Sequence, residues 1–224
     1  MARDSSDVNV CGMEFSMKNL EITKIIVGPV RTNCYLVRRV DSDKVIIIDP
    51  GDEAQVIERR ILTKTLKPIA ILLTHGHFDH IGAVDTLRTR FGIKSYMLEQ
   101  EKDVISGEAN LGRAFGIPTT GHADILVNEG DEITLDEITF KVIHTPGHTI
   151  GSCCYLVEAE KVLFSGDTLF YHSHGRTDFP TGSESAIIRS ITEKLLVLDS
   201  NIVVYPGHEM DTTIGQEKAL YDFY

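Results

Sequence analysis

The stretch Thr74-His75-Gly76-His77-Phe78-Asp79-His80 places four potential metal ligands within six residues. It directly follows Ile69–Leu73, a short apolar run that predicts a buried strand. Histidine and ionised aspartate are costly to bury without partners, and a loop that leaves a rigid strand can direct several of them at one point. Because imidazole and carboxylate groups suit zinc, iron or manganese, we expect a metal site at the end of this strand.

The same arrangement recurs at three later points of the chain, where a predicted strand ends, a glycine follows and a ligand-type side chain comes next. These side chains are His148 after Ile138–Ile143, Asp167 after Lys161–Phe164, and His208 after Ile202–Val204. Glycine gives the backbone the freedom that a sharp turn out of a strand needs. One such turn would be weak evidence, whereas four in the same position relative to a strand predict a shared rim at one edge of the sheets.

The other segments alternate between strand and helix patterns. Further predicted strands are Glu21–Val27, Asn33–Val40, Lys44–Ile48, Ile133–Leu135 and Ser152–Val157. The predicted helices are Glu53–Leu66, Ile81–Phe91, Ser185–Leu198 and Ile214–Tyr221. Mixed elements in two similar halves predict two sheets that face each other, with helices outside them.

Length and charge limit the class of protein. The chain has 224 residues, 42% of them apolar, which is enough to bury a sizeable core. We expect residues 1–19 to be a loose leader and residues 20–224 to form one domain. The net charge of −11 disfavours nucleic acid and anionic membranes as partners. Apolar runs are too short to span a bilayer and the start of the chain lacks a secretory pattern, so we expect a cytoplasmic protein.

The chain has four cysteines, which form no C-x-x-C pair and no disulfide pattern: Cys11, Cys34, Cys153 and Cys154. Cys153 and Cys154 are expected to lie in one strand with their side chains on opposite faces. We interpret the thiols as small buried side chains rather than as metal ligands.

All of these ligand-type residues together resemble the metallo-β-lactamase superfamily, whose members carry H-x-H-x-D-H followed by His, Asp and His at strand ends. The resemblance extends from about Glu21 to Lys218 and implies an α/β protein, a four-layer αβ/βα sandwich with metals at one edge of the sheets. It also implies a ligand set for two metal ions: His75, His77 and His148 for the first, Asp79, His80 and His208 for the second, and Asp167 as the bridge.

The turn Asp49-Pro50-Gly51 matches a turn of the same family, in which the aspartate supports the metal-binding histidines from outside. An outer carboxylate of this kind fixes the tautomer of a histidine ligand and raises its basicity. The alternative is that Asp49 only shapes the turn.

Within the superfamily, the closer resemblance is to the glyoxalase II group, especially its short bacterial members. The segments that carry it are Gly166–Phe170, Gly175–Pro180, Pro206–His208 and Thr212–Gly215. The resemblance implies a hydrolase that cleaves S-lactoylglutathione or a related thioester. Longer members hold glutathione with a C-terminal helical domain, whereas this chain ends at Tyr224, and Met210 replaces a tyrosine of those members. Arg176 matches a basic position near the substrate and is the candidate contact for an anionic group; pairing with Asp178 is the alternative.

The expected chemistry is hydrolysis of a small-molecule thioester. Two divalent metal ions, zinc first and iron or manganese next, would share a hydroxide that attacks the carbonyl, while Asp79 orients it and accepts its proton. The closest rival is a persulfide dioxygenase of the same fold, which would hold one iron with His75, His148 and Asp167. A lactonase, a phosphodiesterase or a non-catalytic metal-binding protein are further alternatives. The form Pro206-Gly207-His208-Glu209, in place of the Pro-Ala-His form of those dioxygenases, favours the hydrolase. The full set of seven predicted ligands argues against a non-catalytic protein.

The sequence pattern assigns neither an oligomeric state nor a role for three histidines outside the metal pattern: His122, His172 and His174.

Overall fold

A computed structural model describes residues 19–221 of the chain. The predicted leader lies outside these residues except for Asn19, and Cys11 lies outside them as well. Asn19 is held by Glu160, whose carboxylate accepts its backbone N–H at 3.0 Å and its side-chain amide at 3.2 Å.

The first half of the chain forms a six-stranded mixed sheet in which strand order follows chain order. Its strands are β1 (Leu20–Val27), β2 (Thr32–Arg39), β3 (Lys44–Ile48), β4 (Lys67–Leu72), β5 (Lys94–Leu98) and β6 (Ile125–Val127). The pairs β1–β2 and β2–β3 are antiparallel, whereas β3–β4, β4–β5 and β5–β6 are parallel. Parallel neighbours need a crossover connection. Helix α1 (Ala54–Thr63) connects β3 to β4. A short helix α2 (Phe78–Ile81) and then α3 (Val84–Phe91) connect β4 to β5.

A second six-stranded sheet follows after α4 (Lys102–Ser106). Its strands are β7 (Glu132–Leu135), β8 (Ile138–His144), β9 (Cys153–Val157), β10 (Val162–Gly166), β13 (Val203–Pro206) and β14 (Thr212–Thr213), in the spatial order β14-β13-β10-β9-β8-β7. The hairpin of β11 (Leu169–Phe170) and β12 (Ser173–His174) follows β10. Helix α5 (Glu184–Arg189) and a π-helix (Ser190–Leu195) cross from there to β13, and α6 (Ile214–Tyr221) ends the described chain.

Three hydrophobic layers hold the elements together. Successive side chains of a strand point to opposite faces of the sheet, so that in β3 Ile47 packs under the helices of the first half while Ile46 packs between the sheets. Tyr155 of β9 joins the layer between the sheets. Leu163 of β10 packs against Ile187 of α5 on the outer side of the second sheet. The order is therefore helix, sheet, sheet, helix, which confirms the predicted four-layer αβ/βα sandwich.

The two adjacent cysteines follow the same alternation. Cys153 packs between the sheets, and Cys154 packs against the outer helices, as predicted. Cys34, Cys153 and Cys154 are all buried and free.

Two predicted helices differ from the structure. The helix predicted over Ile81–Phe91 is divided into α2 and α3, because the backbone between them turns towards the 49–51 loop: Ala83 N–H donates to Pro50 O at 2.9 Å. The helix predicted over Ser185–Leu198 begins at Glu184 and continues as a π-helix from Ser190 to Leu195. Strands β5 and β6 were not predicted. Within residues 19–221, no helix combines the length and hydrophobicity that crossing a bilayer requires.

Candidate metal centre

The predicted ligands lie in loops that leave the same edge of the two sheets. Each loop follows the last residue of a strand, and the strands concerned are β4, β8, β10 and β13. The structure brings all seven predicted side chains together in three overlapping groups, with the ligand atoms of each group within 4.8 Å of one another: His75, His77 and His148; His75, His80 and Asp167; Asp79, His80 and His208.

Two of these groups match the ligand triads that the resemblance implies. In the first triad, Nδ1 of His77 lies 2.8 Å from Nε2 of His148. In the second triad, Nε2 of His208 lies 3.2 Å from Oδ2 of Asp79 and 3.4 Å from Nε2 of His80. Each triad has the close spacing of nitrogen and oxygen atoms that a single cation requires.

Asp167 lies between the two triads. Its Oδ2 is 3.4 Å from Nε2 of His148 and 3.5 Å from Nε2 of His208. A carboxylate in this position can contact a cation in either triad, which is the place that the sequence analysis gave it.

Glycine is required where the loops approach the site most closely. A Cβ on Gly207 would lie 2.2 Å from Oδ1 of Asp167, and a Cβ on Gly166 would lie 2.4 Å from Oγ1 of Thr74. Gly166 also has a φ of +50°, in the left-handed region that favours glycine. The glycines that precede the ligands in sequence therefore make room for the centre as well as turning the chain.

The first triad favours neutral imidazoles. Burial lowers the pKa of His75 well below its usual value, and the neighbouring histidines act in the same direction. Burial and the proximity of His148 lower the pKa of His77 to about 3. Neutral histidine has a lone pair to give to a metal.

The carboxylates of the centre are ionised. Burial opposes the charged form of Asp79, but the protonated rings of His80 and His208, whose own pKa values the neighbouring carboxylates raise, outweigh it and lower the pKa of Asp79 to about 2. Burial likewise opposes the charge on Asp167, and His208 and His80 hold its pKa well below the usual value. Neutral imidazole and ionised carboxylate are the protonation states of metal ligands.

Several polar atoms of the centre are buried without a hydrogen bond. Within the described part of the chain these include Nε2 of His75 and Oδ1 of Asp167. Buried polar atoms in native proteins almost always have a partner, and each such atom needs an explanation. A cation would provide it, so this His and Asp cluster is suited to divalent metal ions.

Asp49 supports two of the histidines from outside the cluster. It is 2% exposed, and its Oδ2 lies 3.0 Å from Nδ1 of His80. The same oxygen accepts the hydroxyl of Thr74 at 2.6 Å, and that hydroxyl lies 3.2 Å from Nδ1 of His75. Both histidines can thus donate from Nδ1 and leave Nε2 free to bind a metal.

Two further contacts were not predicted from the sequence. The backbone carbonyl of Arg176 lies 2.7 Å from Nδ1 of His148, and because a carbonyl can only accept, it fixes Nε2 of that histidine as the free nitrogen. The hydroxyl of Thr32, at the start of β2, donates to Oδ2 of Asp79 at 3.1 Å. Backbone acceptors and hydroxyl donors carry no sequence pattern of their own.

Glu101 is a fully buried carboxylate that no sequence pattern indicated. Its side chain is 0% exposed, Oε1 accepts the N–H of Gly76 at 2.9 Å, and Oε2 accepts the N–H of Gly151 at 2.7 Å. Gly76 separates His75 from His77, and Gly151 belongs to the loop that carries His148. One carboxylate therefore ties together the two loops of the first triad.

An open cleft of about 380 Å³ leads to the centre. It is walled by aromatic and aliphatic side chains, among them Phe78, Leu111, Phe115, Phe170 and Phe179. The guanidinium of Arg176 lies at its rim, 3.9 Å from the ring centroid of Phe179, and is bound through two nitrogens to Asp178 at 2.8 and 2.7 Å. The ion pair considered in the sequence analysis is thus present, and contact of Arg176 with substrate stays a prediction.

The three unassigned histidines lie in different places. His174 lines the cleft, with Nε2 3.6 Å from Glu184. The ring of His172 stacks on Tyr171 at 3.8 Å between centroids. The His122 side chain is 60% exposed, near Asp124. Of the three, only His174 lines the cleft.

Comparison with known proteins identifies relatives over most of the chain. Hydroxyacylglutathione hydrolase GloC of Haemophilus influenzae is 40% identical over 209 residues, which cover 92% of this chain and 97% of GloC.

Solved structures show the same architecture. The B3 metallo-β-lactamase BLEG-1 superposes with a TM-score of 0.85 at 40% identity, covering 91% of this chain and 99% of that one. TTHA1623 in a di-iron-bound form gives a TM-score of 0.80 at 35% identity and covers 90% and 100%. ETHE1 from Myxococcus xanthus gives 0.75 at 27% identity and covers 90% and 83%.

The family model for the metallo-β-lactamase superfamily matches residues 27–208. This segment contains every predicted ligand and both sheets except β1 and β14, one edge strand of each. The chain belongs to the metallo-β-lactamase superfamily.

Proposed function

We propose that this protein is a two-metal thioesterase of the glyoxalase II type, which hydrolyses S-lactoylglutathione or a related thioester. The observation that carries the proposal is the second triad, Asp79, His80 and His208, adjacent to the first and joined to it by Asp167. The 40% identity to a hydroxyacylglutathione hydrolase over nearly the full length of both chains supports the choice of substrate class.

Metal ions bound in the two triads would supply a water of lowered pKa as nucleophile and would polarise the carbonyl under attack. The chain's own residues position the reaction. Asp79, with one oxygen held by the hydroxyl of Thr32, orients the attacking water and takes its proton. Asp49 and the carbonyl of Arg176 keep His80 and His148 in a single tautomer. A thiolate is a good leaving group, so no strong general acid is needed.

The cleft provides the substrate side of the site. Phe78 stacks on Phe115 at 5.3 Å between ring centroids, and Phe179 contacts His77 edge-on at 6.0 Å. Phe179 therefore covers one side of His77, and the three rings give the cleft an apolar wall beside the first triad. Arg176 at the rim is proposed to meet an anionic group of the substrate.

The rival activity is that of a mononuclear iron persulfide dioxygenase, which would use His75, His148 and Asp167. In that arrangement Asp79, His80 and His208 would have no metal to bind, although they lie in contact with one another. The thioesterase gives these three side chains a role, and for that reason we prefer it.

The test combines metal analysis with a panel of substrates. We expect two metal ions per chain, zinc before iron or manganese, and hydrolysis of S-lactoylglutathione. Asp79→Ala should lower the hydrolysis rate by about 10²- to 10⁴-fold, whereas Asp103→Ala, which removes an exposed carboxylate from α4, should not. If the protein instead binds one iron per chain and consumes oxygen when glutathione persulfide is added, the proposal is wrong and the dioxygenase is supported.

A further inference from the structure

The cleft at the metal centre continues into a second, open cavity beyond His208. This cavity has a volume of about 810 Å³ and shares four lining residues with the cleft: Val30, Phe170, His208 and Glu209. Its own walls add exposed apolar side chains, Ile26 at 48% and Met210 at 59% exposure. A substrate that reaches the second triad can therefore extend over this surface.

Arg31 lies on the wall of the second cavity, in the turn between β1 and β2. The next residue, Thr32, donates to Asp79, and Asn33 N–H donates to Gly207 O at 2.7 Å. The turn is thus fixed against both sides of the second triad, and the Arg31 backbone has a fixed position beside it.

The cations that line the two cavities differ in how they are paired. Lys24 is 2.5 Å from Asp211, and Arg176 binds Asp178 through two nitrogens. Arg31 has no ion pair with any residue between 19 and 221, and it is exposed. In a chain of net charge −11, an anionic substrate meets repulsion over most of the surface. Arg31 is the cation of this site whose charge is free to bind an anion.

We infer that Arg31 binds a carboxylate of the thioester substrate, while Ile26, Val30 and Met210 contact the apolar part that joins this carboxylate to the thioester. The inference rests on the proposed function and adds to it the substrate class, a thioester that carries a carboxylate, and the residue that selects it. A guanidinium suits this task because its planar donors match the two oxygens of a carboxylate.

The experiment compares lactoyl thioesters of three thiols on the metal-loaded protein: 3-mercaptopropionate, which is anionic, N-acetylcysteamine, which is neutral, and thiocholine, which is cationic. Arg31→Ala should lower the preference for the anionic over the neutral thioester, measured as the ratio of their kcat/KM values, by about tenfold. Arg31→Glu should turn the preference towards the thiocholine ester. Arg59→Ala removes an exposed arginine from α1, outside both cavities, and should leave the ratio as it is in the unaltered chain.

Two further arms locate the carboxylate and separate binding from turnover. The adipoyl thioester of N-acetylcysteamine carries a carboxylate in its acyl part, and the hexanoyl thioester lacks it. If Arg31→Ala changes the ratio of their kcat/KM values, Arg31 contacts the acyl side of the substrate instead of the thiol side. Calorimetry with 3-(acetonylthio)propionate, a thioether that cannot be hydrolysed, should show affinity weakened about tenfold by Arg31→Ala and unchanged by Arg59→Ala.

The outcomes separate the two proposals. If the unaltered protein cleaves none of these thioesters, nor S-lactoylglutathione, the thioesterase proposal fails and the substrate class fails with it. If it cleaves them, but Arg31→Ala changes neither pair of substrates nor the thioether affinity, the thioesterase stands and the inference about Arg31 is wrong.

Discussion

Oδ2 of Asp49 lies 3.0 Å from Nδ1 of His80, although 31 residues separate them in the chain. Asp49 directly follows β3 and has a φ of +48°, a left-handed conformation that aspartate and asparagine tolerate better than most residues. The backbone conformation directs its carboxylate at the end of β4, where it also accepts the N–H of Thr74 at 2.8 Å. This one side chain therefore fixes the loop that carries four of the predicted ligands.

Asp49→Asn should weaken metal binding without unfolding the protein. Asparagine tolerates the same φ, but its neutral amide is a weaker acceptor. Its NH₂, which can only donate, would face a donor in either orientation of the amide, because both oxygens of Asp49 accept hydrogen bonds. We expect the metal dissociation constant to rise about 10- to 100-fold, as for other outer partners of metal ligands. Competition with a chromophoric chelator measures it, with Asp52→Asn as the control in the same loop. An affinity equal in both variants would mean that Asp49 serves the turn alone.

Glu101→Gln should disturb the two loops that position the histidines of the first triad. The carboxylate accepts two backbone N–H groups on two oxygens, whereas glutamine offers one oxygen and places an NH₂ against the other N–H. We expect a loss of about 2 kcal/mol in unfolding free energy, together with weaker metal binding at a temperature where the variant is folded. Glu99→Gln, in the same helical turn but with a side chain 49% exposed, is the control. Loss of stability with unchanged metal affinity would show that Glu101 has no part in positioning the histidines.

The ligand set was readable from the sequence because its signals are local. Each ligand segment follows a short apolar run, and a glycine directly precedes His77, His148, Asp167 and His208. Strands that run in the same direction bring such ends to one edge. His148 and His208 could therefore be placed beside His75 without any knowledge of the intervening chain. Asp49 was recognisable for the same reason, since it directly ends the apolar run of β3.

The supporting contacts were not readable because they depend on tertiary structure. Glu101 lies in the charged segment 99–103, which has the composition of an exposed turn, yet it is fully buried. The acceptor for His148 is the backbone of Arg176, and a backbone carbonyl leaves no trace in the sequence. The break between α2 and α3 also depends on a tertiary contact, since the N–H of Ala83 donates to the carbonyl of Pro50 in another loop.

Asp178→Asn should improve the use of anionic substrates if Arg176 contacts them. The substitution removes the carboxylate that holds the guanidinium through two nitrogens, and the released charge becomes available to a ligand. Because both side chains are exposed, we expect a modest fall in KM for an anionic thioester, about two- to fivefold, with little change in kcat. The same substitution in an Arg176→Ala background should have no effect. An equal effect in both backgrounds would indicate a general change of potential and no contact through Arg176.

Asp124→Asn should destabilise the first half of the sandwich in a pH-dependent manner. Asp124 accepts Nε of Arg88 at 2.7 Å and the N–H of Ser95 at 2.9 Å, and so joins α3 to β5. The hydrogen bonds of Arg88, which outweigh the effect of burial, lower the pKa of Asp124 below its usual value of 3.8. The unfolded chain therefore binds a proton at higher pH than the folded protein does, and the stability that this carboxylate contributes is present above pH 3.8 and is lost as the pH falls through its folded pKa.

We expect Asp124→Asn to lower the unfolding free energy by about 1 to 2 kcal/mol near neutral pH, and by progressively less as the medium is acidified below the usual pKa of the carboxyl. Denaturant titrations over this range measure the difference, and groups that the two proteins share cancel from it. Asp85→Asn is the matched control, because Asp85 also pairs with Arg88, at 3.0 Å, but is 49% exposed, so its effect should be small at every pH. The difference in unfolding free energy between Asp124→Asn and the unaltered chain could instead stay constant with pH. The charge of Asp124 would then contribute nothing to stability, and the loss would come from hydrogen-bond geometry that asparagine does not reproduce.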